Sequence, residues 1–319
     1  MTTIYGSGIP LGVMDAAAAY NVYGRTEWSR LRLSTPLTLS DTDIAGLRGL
    51  NDPLSLDEVA NIYLPLSRLL NLHVLAARRL GTVEHSFLGR EMRSPPYIIG
   101  IAGSVAVGKS TFARVLQRLL GSWPDHPEVE LVTTDSFLHP RTVLDQRGLM
   151  DRKGFPESYD LRRMIAFLAA VKSGSPARAP VYSHFTYDIV PDQVQLVNRP
   201  DILIFEGLNV LQTARAAPLL ASDFFDFSVY IDAEEHDLAR WYADRFLVLQ
   251  RTAFQQPTSY FHHFKDLSRE EALVQAEAIW RRVNLPNLRE NIRPTRERAR
   301  TILRKAADHR TEEVWLRRV

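Results

Sequence analysis

Apolar positions along this chain fall into two rhythms that take turns, and the alternation predicts the architecture. Short runs at 97–103, 129–134, 202–205 and 227–231, rich in apolar residues, have the length of strands. Between them lie stretches with helical spacing. Leu161, Met164, Ile165, Leu168 and Val171 mark one face of a helix over 160–173 that stops at Gly174, and a second runs over about 234–250. Ser268-Arg269-Glu270-Glu271 opens another helix, and 301–303 with 314–316 read as a terminal strand pair. Residues 180–199 suggest a small hairpin or extended excursion. Alternation of this kind predicts an α/β fold, a mostly parallel sheet with helices on both faces.

Upstream, residues 25–93 read as helical, with capping-box patterns at Ser40-Asp41-Thr42-Asp43 and Ser55-Leu56-Asp57-Glu58 and a kink expected at Pro65. We expect this stretch to be a helical elaboration packed on the core of one domain, 25–319. Residues 1–24, with Gly6, Gly8, Pro10 and Gly12, read as a loose leader.

The first strand carries the chemistry. At 97–111 an apolar run breaks into Gly103-Ser104-Val105-Ala106-Val107-Gly108-Lys109-Ser110-Thr111 and then enters a helical pattern. This fits G-x-x-x-x-G-K-[ST] in the strand–loop–helix setting that the motif requires. Glycines let the backbone curl so that its N–H groups face phosphate oxygens, and the helix adds its positive N-terminal end. Lys109 then serves the β- and γ-phosphates, and the Ser110 hydroxyl serves Mg²⁺.

Composition narrows the class without choosing the reaction. The 319 residues are 45% hydrophobic and 24% charged, ordinary for a chain with a full core. A net charge of +2 gives no case for a nucleic-acid or membrane surface. The absence of cysteine removes disulfides, thiolate metal sites and thiol nucleophiles, and suits a reducing compartment. No apolar run is long enough to span a bilayer, and the start lacks a basic secretory n-region, so a cytoplasmic protein is expected.

In parallel sheets ligands gather at the carboxyl ends of strands, and two more strand ends carry acids. Asp135 reads as a proton acceptor, as a Mg²⁺ holder through water, or as a turn cap. Glu206 reads equally as part of a metal shell or as a cap. Arg245 shares a helix face with Tyr242 and either meets a γ-phosphate or lies at the surface. Tyr182 and His184 lie on one side of an extended segment, as a ligand wall or an incidental hairpin pair. The run Tyr260, Phe261, His262, His263, Phe264 lacks acidic partners at ligand spacing and reads as loop packing or an apolar wall.

No Asn-Lys dipeptide occurs, which argues against a guanine-nucleotide switch and favours a kinase of a small hydroxyl-bearing metabolite. The alternatives are a uridine kinase or phosphoribulokinase-like enzyme, and a nucleotide-binding regulator without transfer. With the phosphate loop, Thr133-Thr134-Asp135, Arg152-Lys153-Gly154-Phe155-Pro156-Glu157-Ser158-Tyr159, Pro180-Val181-Tyr182-Ser183-His184, Glu206-Gly207-Leu208-Asn209 and Pro294-Thr295-Arg296, the chain resembles the bacterial phosphate-loop pantothenate kinases over roughly residues 27–318.

That resemblance implies a P-loop kinase fold, ATP-dependent phosphorylation of pantothenate with Mg²⁺ at the opening of coenzyme A biosynthesis, a cytoplasmic homodimer, and feedback inhibition by coenzyme A. It implies Asp135 as base, with Lys109 and Arg245 on the phosphates and Ser110 and Glu206 on the metal. Tyr182, His184, Tyr242 and Asn284 would line the pantothenate site, and Asn51, Lys305 and His309 would surround adenine. Arg114, with Lys109 and His184, would meet the inhibitor. Two positions depart from the family pattern: Ser136, where a glycine is usual, and Phe112, where a threonine is usual. A left-handed backbone would strain Ser136, and Phe112 would reshape the phosphate pocket or the inhibitor site.

Overall fold

The computed structural model describes residues 16–49, 52–89, 95–126, 128–213 and 219–318. Strands β1 (Tyr20–Gly24), β2 (Tyr97–Gly103), β3 (Val129–Thr133), β4 (Ala177–Ser183), β5 (Asp188–Val197), β6 (Ile202–Glu206), β7 (Phe227–Asp232), β8 (Thr301–Lys305) and β9 (Thr311–Arg317) form two sheets. The larger has the order β1-β9-β8-β7-β2-β6-β3, and β4 pairs with β5 in the predicted hairpin. From β8 to β3 all neighbours run parallel, while β9 is antiparallel to both β8 and β1. Every residue of β2 and β6 is buried, so both faces at the sheet's centre are covered. The strands predicted at 97–103, 202–205 and 227–231 lie inside the sheet, whereas the one predicted at 129–134, β3, forms its edge.

The N-terminal helices join the same core. Ser40 caps the helix Asp41–Leu47 with a full capping box, and the Ser55 hydroxyl accepts from Glu58 N–H at 3.2 Å. Helix Leu56–Glu58 continues through a π turn, Val59–Tyr63, into the long helix Leu64–Phe87. Pro65 therefore follows a widened turn, which accommodates a residue that has no N–H to donate to the turn before it. Ile62, Leu66, Leu70 and Val74 pack in one cluster with the sheet residues.

One expectation needs correction. Tyr20–Gly24, inside the segment read as a loose leader, is an ordered edge strand on β9. Tyr20 is 2% exposed, and its hydroxyl donates to Ala299 O at 2.8 Å. Five residues alternating apolar and polar are too short a signal alone; their partner strand specifies them. Residues 1–15 of that segment lie outside the described residues.

Candidate active site

β2 ends at Gly103 with φ 146°, where a Cβ would lie 2.6 Å from Ile231 O. Gly108 takes φ 95°, and a Cβ there would meet Asp52 Oδ2 at 2.9 Å and Lys305 Nζ at 3.0 Å. Only glycine fits either position without displacing these groups. Lys109 opens the helix Lys109–Leu120, which ends at Gly121 as expected, and its buried ammonium donates to Ser104 O at 2.7 Å. The loop is thus curled over its own lysine. The Ser104 hydroxyl is buried with no protein partner. Ala106 stands exposed to strain at φ 65° in the middle of the loop, while Val107 is fully buried beneath it and Val105 only partly.

Two acids meet this loop from neighbouring strand ends. Glu206, the last residue of β6, accepts from Ser110 Oγ at 2.9 Å, and Asp135 follows β3 in the turn Thr134–Phe137. Thr133 ties them together: its hydroxyl accepts from Asp135 N–H at 3.3 Å and also interacts with Glu206. Burial raises the Glu206 pKa, and the Lys109 charge opposes that rise. Burial likewise lowers the Lys109 pKa against the pull of Glu206 and Asp135. Arg245, on the helix Glu235–Arg251, is lowered by burial too and held up by Tyr242, Asp135 and Glu206. These are opposite charges held together in a poorly hydrated place. A hydroxyl beside a buried carboxylate is a donor set that suits Mg²⁺, which takes few protein ligands and shares phosphate oxygens.

Across from Asp135 lies an aromatic wall. The Tyr182 and His184 rings meet edge to face at 5.1 Å, and His184 Nε2 stands 3.8 Å from Asp135 Oδ2. The His184 side chain is 67% exposed on the open side of the cleft, yet crowding by the walls lowers its pKa, which Asp135 counters. Tyr242 faces Asn284 and packs on Trp280 at 5.7 Å. Asn284 ends a π turn, Trp280–Asn284, that precedes Pro286 just as Val59–Tyr63 precedes Pro65. Such turns re-aim side chains and recur at functional sites.

Lys153, to which no sequence expectation assigns a role, also enters this wall. Its ammonium lies 3.7 Å from the Tyr187 ring and 5.1 Å from that of Tyr182, and burial lowers its pKa to about 8. A lysine before a left-handed Gly154 (φ 92°), inside an otherwise unexplained motif, is the signal that could have found it.

The other end of the phosphate loop is built from distant chain. Lys305 Nζ donates to Val107 O at 3.1 Å, and His309 stacks on Trp241 at 3.9 Å with 21° between planes. Burial, with Lys305 nearby, lowers His309 to about 4, so its ring is neutral near pH 7. Asn51 lies outside the described residues; its neighbour Asp52 reaches Gly108. Asp52 and Trp241 were not legible as site residues.

Two expectations change. Phe112 is 2% exposed and packs on Tyr63 at 4.9 Å, joining the loop's helix to the N-terminal helices. Ser136 is buried in its turn and is not among the residues with positive φ. The aromatic run 260–264 packs as expected, with Phe261 and Phe264 against Phe254 and His262 Nδ1 3.0 Å from Phe254 O, and it also backs the wall, with Tyr260 and Phe261 against Tyr187 at 5.0 and 4.9 Å. Arg114 lies apart from the charge cluster, donating through Nε and Nη2 to Leu47 O at 3.2 and 3.0 Å. Thr111, whose hydroxyl accepts from Gly49 N–H at 3.1 Å and from Arg114 at 3.3 Å, anchors the same segment.

A phosphate loop, a paired hydroxyl and carboxylate, and a second acid facing an open aromatic wall define a phosphate-loop kinase of small molecules. Residues 98–241 match the model of the Phosphoribulokinase / Uridine kinase family. The chain is 58% identical to the pantothenate kinase of Sorangium cellulosum (strain So ce56), covering 96% of this chain and 100% of that one. It is 56% identical to the pantothenate kinase of Brevibacillus brevis (strain 47 / JCM 6285 / NBRC 100599), covering 95% and 97%. Among solved structures, D-glycerate 3-kinase from Cryptococcus neoformans shares the fold, with a TM-score of 0.56, 15% identity, and 77% of this chain and 97% of that one covered. The chain belongs to the pantothenate kinase family.

Proposed function

We propose that this protein transfers the γ-phosphoryl group of ATP to the primary hydroxyl of pantothenate, giving 4′-phosphopantothenate for coenzyme A biosynthesis. The observation that carries the reaction type is the convergence of Lys109, Ser110, Glu206 and Asp135 at neighbouring strand ends. Identity of 58% over nearly the whole length supports the acceptor. Asp135 takes the hydroxyl proton as the oxygen attacks in line. Lys109 and Arg245 offset charge on the equatorial oxygens, and the loop 103–111 binds the triphosphate through its amides. Ser110 and Glu206 would hold Mg²⁺, which supplies charge neutralisation at the bridging phosphates. Tyr182, His184, Tyr242 and Asn284 orient the acceptor, and Lys153 offers its anionic end a cation. Lys305 and His309, with Asn51, receive the adenine.

Coenzyme A as an inhibitor belongs to the same reading: Lys109 and His184 line the shared cleft, and an inhibitor phosphate would draw Arg114 from Leu47 O. So do a cytoplasmic location and a homodimer. Leu72, Leu80, Val83 and Phe87 leave one face of the long helix apolar and exposed, and Phe87 is 88% exposed, which supports pairing with a second copy. Among the described residues no helix is long and apolar enough to cross a membrane. The test is a coupled assay of ATP consumption with pantothenate and with uridine, repeated with coenzyme A. Turnover with uridine alone would overturn the acceptor, and undiminished turnover with coenzyme A would remove the inhibitor.

A further inference from the structure

The turn that carries both base-end residues is held from outside the site. Lys305 ends β8, His309 follows in the turn, and Thr311 opens β9 directly opposite Lys305 across a register shift. His309 adopts φ 71°, a conformation that a residue with a Cβ keeps only when its surroundings enforce it. Inside the turn, Ala306 N–H donates to Arg310 O at 2.8 Å and His309 N–H to Ala306 O at 3.0 Å.

Both backbone groups of Thr311, which is 2% exposed, are taken by one ion pair. Glu58 Oε1 accepts from Thr311 N–H at 3.0 Å, and Arg25 Nη1 donates to Thr311 O at 3.2 Å. Arg25 Nη1 also pairs with Glu58 Oε2, and its other arm reaches Asp57 Oδ2 at 2.6 Å. Glu58 is 5% exposed, so the carboxylate end of this pair is shielded from water, while the Arg25 side chain is 24% exposed. Arg25 arrives because β1 pairs with β9 in a register that sets Gly24 against Glu313. Glu58 arrives because it follows Asp52 by six residues, and Asp52, like Lys305, lies against Gly108.

We propose that Arg25 and Glu58 are positioning residues for the nucleotide base: by clamping Thr311 they fix the Lys305-to-His309 turn against the Asp52 segment. This rests on the reading of that end as the base site. Neither residue is bonded to the phosphate loop; the clamped turn reaches it only through Lys305 on Val107 O, so the base should feel its loss more than the phosphates do.

The test compares Mg²⁺-ADP with Mg²⁺-tripolyphosphate, which has no base, by titration calorimetry on the full chain. Glu58→Gln and Arg25→Met should each weaken ADP about tenfold and tripolyphosphate by less than about twofold, and the double variant should add little to either single. Arg25→Lys, which keeps the charge but loses the fork, should recover part of the loss. In turnover the KM for ATP should rise about tenfold, with kcat and the pantothenate KM within about twofold. Equal weakening of both ligands, or unchanged ADP affinity in a folded Arg25→Met or Glu58→Gln variant, overturns the clamp. So does a parent protein that binds ADP no better than tripolyphosphate. Binding needs no acceptor, so a parent that fails to phosphorylate pantothenate sinks the proposed function and leaves this result standing.

Discussion

At the phosphoryl end of the site, Lys109, Glu206 and Asp135 sit at the tips of β2, β6 and β3, strands that are direct neighbours in the sheet. At the proposed base end, Lys305 and Asp52, from almost opposite ends of the chain, both lie against Gly108, Lys305 donates to Val107 O, and His309 stacks on Trp241. The first end stores charge. Burial opposes ionisation of Lys109 and Glu206, and the charge of each offsets part of that penalty on the other. The second end stores shape, with a neutral imidazole and a turn clamped from behind. Removing a group from the first should therefore strike the chemical step, whereas removing one from the second should strike nucleotide affinity.

The sharpest break comes at Asp135. Asp135→Asn keeps the shape but cannot accept the proton, and kcat should fall by about 10²–10⁴ while ADP affinity stays unchanged. A variant turning over near the parent rate would move the base elsewhere. Next, Lys109→Met should lower kcat by about 10²–10³. Its melting temperature should fall, because buried Glu206 loses the charge that offsets its burial. An unchanged melting temperature would mean that Glu206 does not depend on the lysine.

A third effect separates the acceptor wall from both ends. Lys153 has a pKa lowered to about 8, so its cation is present below that pH and lost above it. The pantothenate KM should then climb above pH 8, by up to about tenfold for each unit, with the ATP KM flat. Lys153→Arg should flatten the climb, since a guanidinium stays charged; a climb that survives in this variant would assign it to another group. The smallest effect belongs to the base end. His309→Ala forfeits one stacking partner, of about 0.5–1.5 kcal/mol, and should raise the ATP KM by about two- to tenfold with kcat unchanged. A fall in kcat as large as that of Lys109→Met would erase the distinction between the two ends.

Legibility followed the same divide. The phosphate loop, the strand-end acids and the hairpin with Tyr182 and His184 were readable because each is specified over a few consecutive residues. β1 was not, since Tyr20–Gly24 owes its order to β9. Phe112, taken from its place beside the motif to affect the phosphate pocket, turned out to pack on Tyr63, because helical periodicity carries it to the far face. Lys153 escaped because a buried lysine is recognised only once the rings around it are known.

By itself, then, the order of residues determined which short runs become strands, where the backbone must curl, and which acids stand at strand tips, because apolar runs and left-handed glycines leave local marks. Folding in three dimensions decided which distant groups became neighbours: Arg25 and Glu58 on Thr311, Asp52 beside Lys305, Trp241 beneath His309. Those contacts join remote segments through backbone carbonyls and amides that every residue carries, so no pattern of side chains along the chain announces them.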